Sequence, residues 1–541
     1  MPLRLTHRLI GLAALAASAA AVASPGAAER IHADVEYLAS DLLEGRAAGT
    51  RGHELAAAFV ASRLRATGLE PAAGQGGYAQ TVPLRRAALV AGSTEARIGE
   101  DGRWQPLGPE ALRIAPSVKS ASIDLSADLL FAGYGVDEPA LGPSDYAGLD
   151  ARGKIVVVFA AAPPGLGSDI AAFVKAQKAD YAAARGALGL IEIPAWPLAA
   201  APSDLGRDPA LPVNGWATAT ESGPGRDLAR LTVSSRLAER LFAGAPRPLA
   251  QVQRDAVAGH RPLGFALRPV LAVKARSEWD ELPSPQLIAR LPGSDPALAS
   301  QTIVLIAHLD HLGRIAPAVR GPHGDDIDNG ALDNAAGVAI LIEVARDLAA
   351  GPRTPRRSIV LLITTGEELG TLGADYAASH FPLAAGTPVA ALDLDMPLLL
   401  YHFTDIAAPG AEHSAIGAAL ADAGRPLGIM LSPDPMPQQE LLVRSDQLPF
   451  IERGVPAALL ATGYANGGQA VWADFLAHHY HQPSDDLALP IRWDEGARLA
   501  ILIAATVRRL ADQPAAPAWK VGDFFARRTP SRRIAEAQDG R

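Results

Sequence analysis

The sequence predicts an α/β protein: a mostly parallel, helix-covered sheet with an inserted β-rich unit. Two observations carry this. From "TIVLIAHLD" onwards, apolar strand-like runs alternate with helical ones: "NAAGVAILIEVARDLAA", "RSIVLLITT", "LGADYAASH", "PVAALDLDM", "VPAALLAT" and "WDEGARLAILIAATVRRLAD". Buried strands alternating with helices argue for a parallel sheet covered on both faces. Upstream, from about Ala111 to Leu271, runs such as "IDLSADLLFAGYG" and "GKIVVVFAA" are β-branched or apolar and bounded by Gly and Pro.

Taken in order, residues 1–23 read as a cleavable export signal. Arg4, His7 and Arg8 precede the apolar "LIGLAALAASAAAV", and Ala21-Val22-Ala23 offers small residues for cleavage. That apolar run is too short to span a bilayer, so an exported, periplasmic or secreted protein is expected, free of the membrane after cleavage. Residues 24–110 carry two helical stretches, "IHADVEYLASDLLEG" and "GHELAAAFVASRLRATG", separated by the Gly-rich "GRAAGTRG". The β-rich unit takes 111–271, and a catalytic-looking unit 272–515. The arginine-rich end, 516–541, reads as a solvated tail.

Composition narrows the function classes. The net charge of −9 makes nucleic acid or an anionic membrane a poor partner. There is no cysteine, so thiolate sites are excluded and any metal must be held by His, Asp and Glu.

Ligands of open α/β sheets gather at the carboxyl ends of the strands. Metal-capable side chains recur there. "IVLIA" runs into His308-Leu309-Asp310-His311, "IVLLITT" into Gly366-Glu367-Glu368, and "VAALDL" into Asp395. Asp333 opens the helix after the first of these strands, and "HHYHQPSDD" brings His481 later. Asp333 alone would serve as a helix cap. Carboxylates gathered on one sheet edge repel one another unless cations neutralise them.

These segments resemble the secreted co-catalytic dizinc aminopeptidases, whose fold is shared with glutamate carboxypeptidases and the transferrin receptor ectodomain. The resemblance rests on "AHLDHLG", "NGALDNAAG", "GEELG", "LDLDM" and "YHQPSDD", in that order between Gln286 and about Leu510, with a matching N-terminal "YLASDLLEGRAAGTRG". The stretch beginning "FAGYGVDEPALGPSDYAGLD" is similar to a protease-associated domain inserted into the catalytic one. The resemblance implies two Zn²⁺ ions. His308 and Asp395 would hold one, Glu368 and His481 the other, with Asp333 bridging them. Glu367 would be the general base for a water acidified between the ions. Asp310 would orient His308 by accepting from its second ring nitrogen. Tyr480 stands where some relatives polarise the substrate carbonyl.

Three positions depart from the family pattern: Asp393, Pro397 and Gln447. They are expected to alter the pocket and leave the metals in place. His311, His323, His478 and His479 are read as non-ligands, with His311 the one expected to line the pocket. The activity implied is removal of N-terminal residues from peptides. Two alternatives stay open: release of C-terminal residues, with Arg444 or Arg453 receiving the substrate carboxylate, and a non-catalytic peptide-binding relative.

Overall fold

The structure, a computed structural model, describes residues 26–74, 76–196, 212–217, 228–315 and 324–528. The export signal, His323 and the last residues of the tail lie outside them.

The α/β expectation holds. Strand Gln301–His308 lies between Ser358–Thr364 and Thr387–Leu394 and runs parallel to both; Ala457–Thr462 extends the parallel set beyond Thr387–Leu394. Nearly every residue of these strands is buried, as a sheet covered on both faces requires. Helices Ala336–Ala350 and Trp493–Asp512 pack against each other over one face, joined there by Ala27–Leu38.

The register positions the chemistry. His308 pairs with Thr364, and Ile306 with Asp393. The strands therefore end level, and the turns carrying His308, Glu367 with Glu368, and Asp395 leave the sheet along one edge.

A second sheet is built on the same plan. Ser122–Phe131 runs parallel to Ile155–Phe159, which pairs with Gly189–Ile193, and that strand with Ala229–Val233. Helices Ser168–Ala176 and Lys178–Ala184 make the crossover between the second and third of these. The two sheets share one strand, Phe265–Leu291. Its first half pairs with Ser122–Phe131 and its second with Ala79–Leu89 and Ser358–Thr364. This strand passes through position 271 unbroken, and the second sheet also takes in Glu95–Glu100 and Arg103–Leu107, ahead of Ala111.

Candidate metal centre

At the level edge of the first sheet the five expected donors come together. His308 Nε2 lies 3.0 Å from Asp395 Oδ1 and 3.2 Å from Asp333 Oδ1. His481 Nε2 lies 3.5 Å from Asp333 Oδ2 and 3.3 Å from Glu368 Oε2. Asp333 thus turns one oxygen toward each imidazole. It is not a helix cap: the following helix starts at Ala336, and Asn334 Oδ1 accepts from Gly337 N at 3.2 Å.

The residues fit divalent metal binding. The donors are imidazole and carboxylate, the set suited to zinc, and one carboxylate faces both halves of the cage. The electrostatics agree. Burial works against ionising Asp333, yet the imidazoles of His311, His308 and His481 hold its pKa far below the usual carboxylate range. Burial likewise opposes a charged His308, but Asp395 and Asp333 raise it well above the ordinary value. Such mutual stabilisation needs positive charge on the imidazoles, the role a cation would take over.

Glu367 differs from the ligand carboxylates. Burial pushes its pKa well above the ordinary value, and Asp395, Glu368 and Asp446 add to the rise against His308. A carboxyl poised to hold a proton is what a general base requires once it has taken one.

Two expectations are corrected. The Asp310 carboxylate does not meet His308. The backbone carbonyl of Asp310 accepts from His308 Nδ1 at 3.0 Å, while its carboxylate accepts from Glu367 N at 3.3 Å. Asp310 therefore orients the ligand through its main chain and the base-bearing turn through its side chain. His311 does not line the pocket. It is fully buried, with Nδ1 2.8 Å from Glu368 Oε1 and Nε2 3.2 Å from Asp328 Oδ1. Gly330, at φ +57°, makes room for it, since a Cβ there would come within 2.6 Å of the His311 ring.

The supports between the ligand loops were missed from sequence. Arg46, 1% exposed, spends its guanidinium on carbonyls: Leu309 at 3.0 Å, Gly330 at 3.1 Å, and those of Leu38 and Asn329. It thereby ties the His308 turn to the loop before Asp333. Asn334 Nδ2 donates to Leu394 O at 2.8 Å, linking Asp333 to Asp395. Asp485 accepts from Leu332 N and Asp333 N at 2.9 and 3.0 Å, linking Asp333 to the His481 segment. "EGR" and "PSDD" were legible as motifs, but nothing local indicates that Arg46 turns inward among backbone carbonyls.

A cavity of about 380 Å³ opens onto Asp333, Glu367, Glu368 and Asp395. Its lining also includes the apolar Met396, Met436, Leu459, Trp472 and Leu476. Tyr480 and Arg444 reach its rim, their side chains 3.3 Å apart. Arg453 is no candidate for substrate, because it is buried in an ion pair with Asp375 at 2.7 Å. Gln447 is structural, donating to Leu441 O and Leu442 O at 2.8 Å each. His478 pairs with Asp474 and His479 with Ser484.

Residues 286–507 match the model of peptidase family M28. That segment holds all seven residues discussed as ligands, base and orienting group. No curated protein matches the chain. Among solved structures, an aminopeptidase from Aneurinibacillus sp. strain AM-1 is similar at 19% identity and TM-score 0.45, covering 90% of this chain and 95% of the other. A zinc aminopeptidase from Bacillus subtilis gives 18% and 0.42 over 90% and 95%. A peptidase M28 precursor from Shewanella amazonensis gives 20% and 0.38 over 91% and 98%.

Proposed function

We propose that this peptidase is an aminopeptidase with two zinc ions. His308 and Asp395 would hold one, Glu368 and His481 the other, and Asp333 would span both. The carrying observation is the two-sided placement of Asp333, one oxygen 3.2 Å from His308 Nε2 and the other 3.5 Å from His481 Nε2. Bound there, such ions supply Lewis-acid polarisation and a water acidic enough to ionise near neutral pH. The chain's own part is to direct protons and substrate. Glu367, raised toward a proton-holding state, takes the proton from the water and returns it to the leaving amine. Asp310 fixes the turn from which Glu367 projects.

An N-terminal substrate is favoured by charge. Four carboxylates border the cavity, and Arg444 is its one lining arginine, already bonded to Gln439 at 2.9 Å. With Asp333, Glu368 and Asp395 given to the ions, Glu367 is the carboxylate left to face a free ammonium, and Arg444 is already engaged. The apolar lining suits a bulky apolar first side chain. Arg444 is the observation that keeps release of C-terminal residues as the second reading.

The test is turnover of a leucine amide with a free amine beside its N-acetylated form and an N-blocked dipeptide. Cleavage of the free-amine compound alone supports the aminopeptidase reading. Cleavage of the blocked dipeptide replaces it with the second. Export, from the basic and apolar leader, and a protease-associated identity for the second-sheet unit complete the proposal. Detecting the uncleaved leader on mature protein would remove the first of these.

A further inference from the structure

Away from the cage, a second group of metal-capable side chains sits where three parts of the chain meet. Asp169 comes from the crossover helix of the second sheet, Glu412 and His413 from a turn of the peptidase domain, and Asp523 from the C-terminal segment. Aromatic rings surround the group: His413 packs on Phe525, and Phe173 on Phe524 and Phe525, with the Arg528 guanidinium over Phe173. One ligand atom each from Asp169, Glu412 and His413 lies within 4.8 Å of the others.

Three details single this group out from a chance gathering of acids. First, His413 is oriented from behind: its Nδ1 lies 2.8 Å from Asp523 Oδ2. A carboxylate on one ring nitrogen sets the tautomer and presents the other as a lone pair, the arrangement found behind metal-binding histidines. Second, that other nitrogen faces Asp169 Oδ2 at 3.4 Å. A charge-assisted hydrogen bond is shorter, at about 2.7–2.9 Å. Two donors each about 2.1 Å from one tetrahedral ion lie about 3.4 Å apart. The imidazole–carboxylate separations in the cage span 3.0 to 3.5 Å, the same range. Third, Asp169 is 7% exposed and its Oδ2 is buried without a hydrogen bond. That oxygen meets the imidazole only at 3.4 Å, a separation that leaves room for a cation held by both.

We propose that Asp169, Glu412 and His413 hold a single structural zinc-type cation that clasps the second-sheet unit to the peptidase domain, with Asp523 orienting His413. Glu412, which is exposed, closes the site from the solvent side, and a water completes the coordination. The site is independent of the catalytic cage and of the activity proposed for it.

The full chain is dialysed to equilibrium with a low concentration of Zn²⁺, and bound zinc is counted by mass spectrometry beside thermal melts and peptidase turnover. Asp169→Asn, His413→Gln and the surface variant Glu412→Gln are run in parallel. The first two are expected to hold one zinc equivalent fewer than the parent, with turnover within about twofold, and to lose part of the zinc-dependent rise in melting temperature. Glu412→Gln keeps the fold and is expected to release that same equivalent at lower chelator concentration. The result rests on a difference of one equivalent, so it is read even if the cage binds fewer ions than proposed. Equal zinc content in parent and Glu412→Gln at every chelator concentration overturns the proposal. So does a parent whose zinc is all lost in Asp333→Asn.

Discussion

Among the described residues two sheets carry four parallel strands each, and metal-capable side chains gather where the strands of the first end. Where Gln301–His308, Ser358–Thr364 and Thr387–Leu394 end, buried acids gather: Asp310 accepts from Glu367 N and Asp446 from Thr364, while their other oxygens and both of Asp393 make no hydrogen bond. Where Ile155–Phe159 ends, the buried charge is Lys178, and its ammonium is met by the carbonyls of Phe159 and Ala161. Native interiors satisfy their polar groups. Lys178 obeys that rule within its own sheet, whereas burial drives Asp310, Asp393 and Asp446 toward holding protons. Topology is common to both, so function is assigned by which residues follow the strands.

The largest expected effect breaks the acid edge alone. Glu367→Gln keeps shape and removes the base. Turnover is expected to fall by about 10²–10⁴-fold with zinc content unchanged, as metal analysis of the purified variant would show. Loss of zinc together with activity would instead make Glu367 a ligand.

Next comes the frame that holds the edge in place. Arg46→Met strands the four carbonyls now met by one guanidinium. With buried acceptors costing about 1–3 kcal/mol each when unmet, a loss on the order of 4 kcal/mol is expected in urea unfolding. Arg46→Lys should recover little, since a point ammonium cannot reproduce the planar fork. Full recovery by lysine would show that charge, rather than geometry, is what Arg46 provides.

The second sheet supplies the contrast. Burial holds the Lys178 pKa down at about 8, yet its carbonyl partners keep it in place. Lys178→Met is expected to cost about 2 kcal/mol and to leave turnover and zinc content untouched. A fall in kcat would mean that the two sheets communicate.

The same contrast explains what the sequence made legible. Strand ends, and the donors just after them, follow from hydrophobic period and motif order. The α/β class is legible that way, and His308, Asp333, Glu368, Asp395 and His481, named through the family resemblance, lie together at the sheet edge. Arg46 and Asp485 escaped because their value lies in backbone groups far away in sequence, which no local pattern encodes. The Asp310 role was assigned to the wrong atom for a related reason: main-chain and side-chain acceptors of one residue look alike in a motif. His311 was displaced from the pocket wall by a glycine 19 positions downstream, Gly330, whose backbone leaves space for the ring.

The smallest expected effect is the pH response of the metal-free protein, and its sign distinguishes an acid edge that needs cations from one that does not. Burial lifts the carboxyls of Asp446 and Asp485 to about 7. Their folded pKa exceeds the unfolded one, so the folded state binds more protons between about pH 4 and 7, and stability falls as pH rises through that window. Burial opposes charge on His311 and His481, but neighbouring carboxylates raise them to about 10 and about 9. Their contribution is complete below the unfolded value near 6.5 and is lost as pH climbs through the folded one. Both sets push the same way. Asp333 and Glu368, held below their usual range, oppose them only under acid conditions. After chelation, the melting temperature is therefore expected to drop by about 3 °C or more between pH 5.5 and 8.5. Zinc should reverse that slope, since coordination requires unprotonated imidazoles and ionised carboxylates and so strengthens with pH. Parallel curves with and without zinc would mean that these donors face one another without ever sharing a cation.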